Sequence, residues 1–238
     1  MYLLLSGEGP TDIGEGRIAL PVCEGSDFLP GPMAVIVDRI CAASLGYSLL
    51  SDHCGFVSKT EVARQTQQLR TSKKQLGLPG RKRPKETRYF FNNARALARL
   101  AKEKSQRRND NVIAVLFRDA DGTASGGRGV WEQKRQSMLD GFREEGFDAG
   151  VPMLPRPKSE AWLICAFKNH PYISCETLED RSGNDNSPNN LKHELQRLLE
   201  VELKPEVLRE KVEESFDIER IRMPSFKAFR QRLEEVIR

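Results

Sequence analysis

Two carboxylates, Asp119 and Asp121, close the stretch VIAVLFRDADGT at residues 112–123, directly after an apolar run and directly before Gly122. Carboxylates spaced i, i+2 across a tight turn can converge on one hard cation, and glycine behind them lets the backbone bend sharply. Taken alone, Asp-x-Asp-Gly is also an ordinary solvated turn. Further acids are needed to make it chemistry, and the sequence offers Glu8 and Asp12 in GEGPTD near the start and Glu160 beside Lys158 in PKSEAWLI. Such a set of oxygen ligands suits Mg²⁺ or Mn²⁺.

The elements that would position these residues follow from hydrophobic pattern. Residues 112–117 read as a buried parallel strand, apolar on both faces, so that Asp119 and Asp121 sit at its carboxyl end, where open α/β sheets form their ligand crevice. Residues 2–6 form a short apolar strand running into the Glu8 loop, with Asp12 directed back to the same edge if a helix starts near Thr11. A polar, extended connection then runs to about Pro32. The spacing predicts helices over 33–45 (ending at Gly46), 61–76, 87–104, 130–145, 158–167, 191–199, 205–215 and 225–237, with strands at 47–50 and 147–154. Residues 123–129 and 174–190 read as loops. Pro155 and Pro157 fix an extended approach to the helix that Lys158 and Glu160 open, whose first amides carry partial positive charge. Strands alternating with helices predict an α/β fold with a parallel sheet, and neighbouring strand tips would deliver Glu8, Asp119, Asp121 and Glu160 to one edge.

The 238 residues suffice for a real core, and 38% hydrophobic with 30% charged residues describe a globular chain with no apolar run long enough to span a bilayer. MYLLLSGEG lacks a basic n-region and is too short for a signal peptide, so a cytoplasmic location without membrane attachment is expected. Five cysteines, an odd number without CxxC spacing, read as reduced thiols filling the core. The net charge of +4 conceals a segment, residues 59–108, with 16 lysines and arginines against 3 acids. That excess is a footprint for a polyanion, although charged runs are commonly just solvated faces. Its densest part, 73–88, reads as a basic loop, and Lys73, Lys74, Arg81, Lys82, Arg83, Lys85 and Arg88, with Arg128, are the candidate nucleic-acid contacts. His53, His170 and His193 lie far from the acids. Trp162 reads as a core anchor, whereas Trp131, after the Gly-rich loop, is a candidate for stacking on a base.

A Glu-Gly loop after the first strand followed by Asp-x-Asp after a later one resembles the TOPRIM domain of topoisomerases, primases and OLD-type nucleases. GEGPTDIG, LFRDADGT, PKSEAWLI and PSFKAFRQRL together look like a small TOPRIM-related bacterial family near the OLD nucleases, whose members are often encoded beside ABC- or SMC-like ATPases in phage-defence loci. The resemblance covers the chain apart from the basic insertion, about 59–108, and the 174–190 loop. It implies one TOPRIM-like domain over 1–238 with a helical C-terminal part from about 190. It also implies an endonuclease using two Mg²⁺ or Mn²⁺ ions, an ATPase partner and possible self-association. Glu8, Asp119 and Asp121 match the core metal carboxylates. Asp12 matches a second acid four residues after the first, commonly Glu in OLD enzymes. Glu160 and Lys158 match a later acid and its basic neighbour, and Lys227 reads as a surface lysine.

Two other readings stay open. FRDADGT also matches hhhDxDGT of haloacid-dehalogenase-type phosphatases, with Asp119 as nucleophile, Asp121 as general acid and Lys158 binding phosphate, but that motif normally opens its fold and leaves Glu8 without a task. A non-catalytic nucleic-acid-binding subunit would need only the basic segment. No G-x-x-x-x-G-K-[ST] occurs, so ATP dependence would have to enter through a partner.

Overall fold

The computed structural model describes residues 1–72, 84–120, 128–168, 174–188 and 190–238. A five-stranded sheet is built from β1 (Tyr2–Ser6), β3 (Val22–Glu24), β5 (Cys54–Val57), β6 (Val112–Phe117) and β7 (Gly150–Met153), in the order β3-β5-β1-β6-β7. Strands β5, β1, β6 and β7 are parallel, and β3 pairs antiparallel to β5 at the edge. A separate two-stranded ribbon joins β2 (Gly14–Gly16) to β4 (Phe28–Pro30). The helices are α1 (Pro32–Leu45), α2 (Lys59–Ser72), α3 (Lys85–Arg108), α4 (Arg128–Glu144), α5 (Ser159–Phe167), α6 (Leu191–Leu199), α7 (Pro205–Ser215) and α8 (Pro224–Ile237). The class is α/β, a mixed and mostly parallel sheet flanked by helices.

Strand periodicity explains the layering. Leu3, Leu5, Ile113, Val115, Phe117, Val151 and Met153 point to one face, where α1, α5, α7 and α8 cover them. Tyr2, Leu4, Val112, Ala114 and Leu116 point to the other, against Phe90, Ala94, Leu97, Ala98 and Ala101 of α3 and Met138 and Phe142 of α4. Both faces are dry, which is why β1 and β6 read as continuous apolar runs. On the first face Trp162 is fully buried between Phe226 and Phe229, at ring-centroid distances of 5.0 and 5.8 Å, and donates its ring N–H to Ser225 Oγ at 2.9 Å. PKSEAWLI and PSFKAFRQRL are thus packing partners, and Lys227 is on the surface. Among the described residues, no helix is long and apolar enough to cross a membrane.

Several expectations change. Residues 47–50 are not a strand: the amides of Leu49 and Leu50 donate to Asp38 Oδ1 at 2.6 and 3.2 Å, so they are unavailable to a ladder. The strand is β5 instead. Its Gly55 packs under Tyr2, and a Cβ there would lie 2.4 Å from the Tyr2 hydroxyl. The stretch before Pro32 contains β2, β3 and β4, short strands that its glycines and prolines hide. The 174–190 segment includes a 3-10 turn, Cys175–Asp180. Cys165 and Cys175 form a disulfide with Cα atoms 5.7 Å apart, whereas Cys23, Cys41 and Cys54 are free and buried. Reduced thiols throughout were expected, because only the tertiary approach of α5 to the 3-10 turn brings this pair within bonding range.

Candidate functional site

Because β1 lies between β5 and β6, and β7 lies beyond β6, the tips of β1, β6 and β7 are adjacent at the carboxyl edge of the sheet. Each tip carries acids. Glu8 and Asp12 follow β1, Asp119 follows β6, and Glu160 stands in the first turn of α5 after β7. Asp121, with Lys73, Lys74, Arg81, Lys82, Arg83, His170 and most of the loop expected at 123–129, lies outside the described residues. Lys85 and Arg128 begin helices whose first side chains are likewise undescribed.

Asp12 reaches the edge by a turn, not by the helix expected near Thr11. Its amide donates to Gly9 O at 3.2 Å, and its carbonyl accepts from Met33 N, the start of α1, at 2.9 Å. The neighbouring Ile13 is fully buried, and Gly31 N donates to its carbonyl at 2.9 Å. This loop is therefore anchored to α1 and the core, which fixes where the Asp12 carboxylate points.

Ser159, the first residue of α5, joins two tips. Its hydroxyl donates to Asp12 Oδ1 at 2.7 Å and its amide to Asp119 Oδ1 at 3.2 Å. A helix N-terminus offering an amide to a carboxylate is favourable through both the hydrogen bond and the dipole. The turn after Asp119 is pinned on both sides. Ala120 donates its N–H to Pro155 O at 3.1 Å, and its carbonyl accepts from Lys134 Nζ, a buried ammonium, at 3.0 Å. The backbone bearing Asp119 is thereby tied to the segment leading into α5 and to α4.

Charge balance at this edge is unusual. Burial pushes the Asp12 carboxyl up to about 7; the Ser159 hydrogen bond opposes that, while the nearby Glu160 and Glu8 charges reinforce it. Burial likewise raises Glu160, against its own backbone amide and Lys158, and Glu160 Oε2 is buried without a hydrogen-bond partner. Lys158, expected to meet a phosphate, is 2.8 Å from Asp185 Oδ1. Arg118 is almost wholly buried, with Nη1 donating to Phe117 O at 2.6 Å and Nε 3.5 Å from Glu8 Oε1. Tyr89 donates its hydroxyl to the same Glu8 oxygen at 3.4 Å.

Among the described residues no three His, Cys, Asp or Glu side chains gather as a ready metal cage. The donors that do meet here are nonetheless those a hard cation takes: carboxylate oxygens only, one of them orphaned, in a setting where burial and the Glu160 and Glu8 charges raise Asp12. Sequence reasoning missed Ser159, Arg118, Lys134 and Tyr89. Ser159 stood in view between Lys158 and Glu160, and Arg118 directly before Asp119. Nothing in the sequence marks Lys134 or Tyr89, which arrive through the packing of α3 and α4 on the sheet.

The basic segment is partly committed elsewhere. Arg95 and Arg99 pair with Glu145, Lys104 and Arg108 with Glu24, and Arg64 with Glu61. Counting charge along the sequence therefore overstates what α2 and α3 can offer a polyanion. Arg88 is exposed. Trp131 gives its ring N–H to Leu154 O at 2.8 Å and packs partly buried on the core, which removes the feature that suggested base stacking. Compared with protein-family models, curated proteins and solved structures, the chain gives no significant match.

Proposed function

We propose that the chain is a TOPRIM-like, metal-dependent endonuclease of the OLD-nuclease branch, hydrolysing nucleic-acid phosphodiesters at the carboxyl edge of β1, β6 and β7. The observation that carries this reading is the Ser159 bridge, which draws Asp12 and Asp119 from two strand tips to the start of the helix bearing Glu160. Glu8, Asp12, Asp119, Asp121 and Glu160 would hold Mg²⁺ or Mn²⁺. Two such ions, when bound, supply an activated water and countercharge for the leaving alkoxide. Ser159 keeps Asp12 and Asp119 in register, and Lys134 and Pro155 hold Ala120, the residue that follows Asp119. Arg118 sets the Glu8 carboxylate from behind, and Lys158 adds positive charge near the scissile phosphate. The basic residues from Lys73 to Arg88, with Arg128, would bring the polyanion to this acidic edge. The family resemblance adds an ABC- or SMC-like ATPase partner and an anti-phage role in the cytoplasm.

The test is cleavage of plasmid, single-stranded DNA and tRNA in Mg²⁺ or Mn²⁺ by the wild type, Asp119→Asn and Glu8→Gln. Both variants should lose on the order of a hundredfold to a thousandfold in turnover or more while melting no earlier than wild type. Hydrolysis of a small phosphate monoester that survives Glu8→Gln but not Asp119→Asn would instead mark phosphoaspartyl chemistry and overturn the nuclease reading.

A further inference from the structure

Among the described residues, the large apolar side chains left exposed are Ile18, Leu20, Tyr47 and Tyr89, and of these Tyr89 touches the acid edge. It stands near the start of α3 and is 42% exposed. Three contacts set its ring. The hydroxyl donates to Glu8 Oε1 at 3.4 Å, the Arg118 guanidinium lies over the ring 5.9 Å from its centroid, and Phe90 meets it edge to face at 5.5 Å. Arg118 is itself 1% exposed, so the cation behind the ring is held by the protein interior.

We propose that Tyr89 is a stacking platform for an unpaired base next to the scissile phosphodiester, so that the substrate is a single strand or a frayed end. The proposal rests on the nuclease reading and narrows it to a substrate class. A base inside a duplex is covered on both faces by its neighbours, and a ring can stack on it only after it has been unstacked and flipped. A base in a single strand offers its face at once. Base–aromatic stacking changes affinity by roughly tenfold to a hundredfold per base, whatever the base, because every base has a π-face. Tyr89 is preorganised for this: a cation over one face orients the ring, and the hydroxyl ties it to a candidate catalytic carboxylate. A nucleotide seated on the ring would therefore have its phosphate beside Glu8. Tyr89 is in these terms a positioning residue, holding a nucleotide against the acids without taking part in the bond change.

The experiment compares equilibrium binding of a short 2-aminopurine-labelled oligonucleotide, as single-stranded DNA, as single-stranded RNA and as duplex DNA, to wild type, Tyr89→Phe and Tyr89→Ala in Ca²⁺. Cleavage of the same strands is followed in Mg²⁺. On at least one single strand, Tyr89→Ala should bind about tenfold to a hundredfold more weakly than wild type, with duplex binding unchanged. Tyr89→Phe, which keeps the ring and loses only the hydroxyl, should retain binding and the quenching of 2-aminopurine that reports stacking. Equal losses on single strand and duplex, or Tyr89→Phe behaving like Tyr89→Ala, overturn the proposal, as does unchanged binding by Tyr89→Ala in a wild type that cleaves. Selective, quenched binding without any cleavage supports the stacking role and removes the nuclease reading instead. Wild type that binds none of the three oligonucleotides overturns both.

Discussion

Just past the end of α4, Glu145 accepts Arg95 Nε at 2.6 Å and Arg99 Nε at 2.9 Å, while Lys102 donates to its backbone carbonyl at 2.8 Å. At the tip of β1, Asp12 is half-buried as well, but it faces Glu160 and Glu8, against which stand a hydrogen bond from the Ser159 hydroxyl and the charge of Lys158. Burial raises both carboxyls. Around Glu145, Arg99 and Arg95 outweigh burial and carry its pKa below the ordinary range, whereas at Asp12 burial, reinforced by the Glu160 and Glu8 charges, carries it up to about 7. The first carboxylate is complete as it stands. The second is an arrangement that added positive charge would complete, and a carboxyl raised by burial and by neighbouring acids at a sheet edge is a candidate for a functional role.

If that contrast is right, the largest stability effect should come from the completed cluster and not from the candidate site. Glu145→Ala strands Arg95, which is only 6% exposed in its side chain, and breaking a buried pair from one side costs about 3–5 kcal/mol. Chemical denaturation should register that loss equally with and without Mg²⁺. A loss under 1 kcal/mol would show that the α3–α4 pairing is a surface feature, because exposed pairs are worth about that or less.

The two sites should also respond to pH with opposite slopes. Glu145 has a folded pKa below its unfolded one, so its contribution is present above the unfolded carboxylate range and disappears as pH falls through the depressed value. Asp12 is the reverse case. Its folded pKa of about 7 lies above the ordinary aspartate value of 3.8, so the folded state holds the extra proton and metal-free stability declines as pH rises from near 4 to near 7. Asp12→Asn keeps an acceptor for Ser159 and removes the charge. In the metal-free protein it should gain on the order of 2 kcal/mol at pH 8 and flatten the decline. Melting curves from pH 5 to 8 in a chelator check this, and a variant less stable than wild type at pH 8 would make Asp12 an ordinary structural acid.

What the sequence revealed of these two sites was uneven for physical reasons. Asp12 sits in a loop directly beyond an apolar strand, and Asp119 at the end of another, so period and composition alone placed both at strand ends. Bringing the tips of β1, β6 and β7 together needed only the tendency of parallel strands to neighbour one another. Glu145 and its arginines lie 46 and 50 residues apart and leave no local trace. Arg95 and Arg99 counted as nucleic-acid charge in the sequence, because charge counting cannot see a partner brought in from just past the end of another helix. Residues 47–50 misled in a similar way: Leu49 and Leu50 are apolar like strand residues, but Asp38 on α1 takes their amides. The Cys165–Cys175 bond depends on the same kind of distant approach.

Ser159 should give the smallest effect and the sharpest view of how the acid edge is organised. Its hydroxyl and its amide act on different carboxylates, so Ser159→Ala deletes the bond to Asp12 while leaving the amide to hold Asp119. Loss of one hydrogen bond at a partly buried site lowers stability by about 1 kcal/mol. The hydroxyl also lowers the Asp12 pKa against burial, so its removal should move the Asp12 titration further up. In Mg²⁺, where added charge would favour the ionised carboxylate, the variant should require more metal for half-maximal activity, yet approach wild-type turnover once saturated, because the Asp119 contact is intact. The measurement is a metal titration of cleavage beside an NMR titration of the Asp12 carboxyl. A drop in saturated turnover comparable to that of Asp119→Asn would mean that Ser159 acts on the reaction directly. An unmoved metal requirement together with an unmoved Asp12 titration would mean that the bridge between the strand tips does not organise the site.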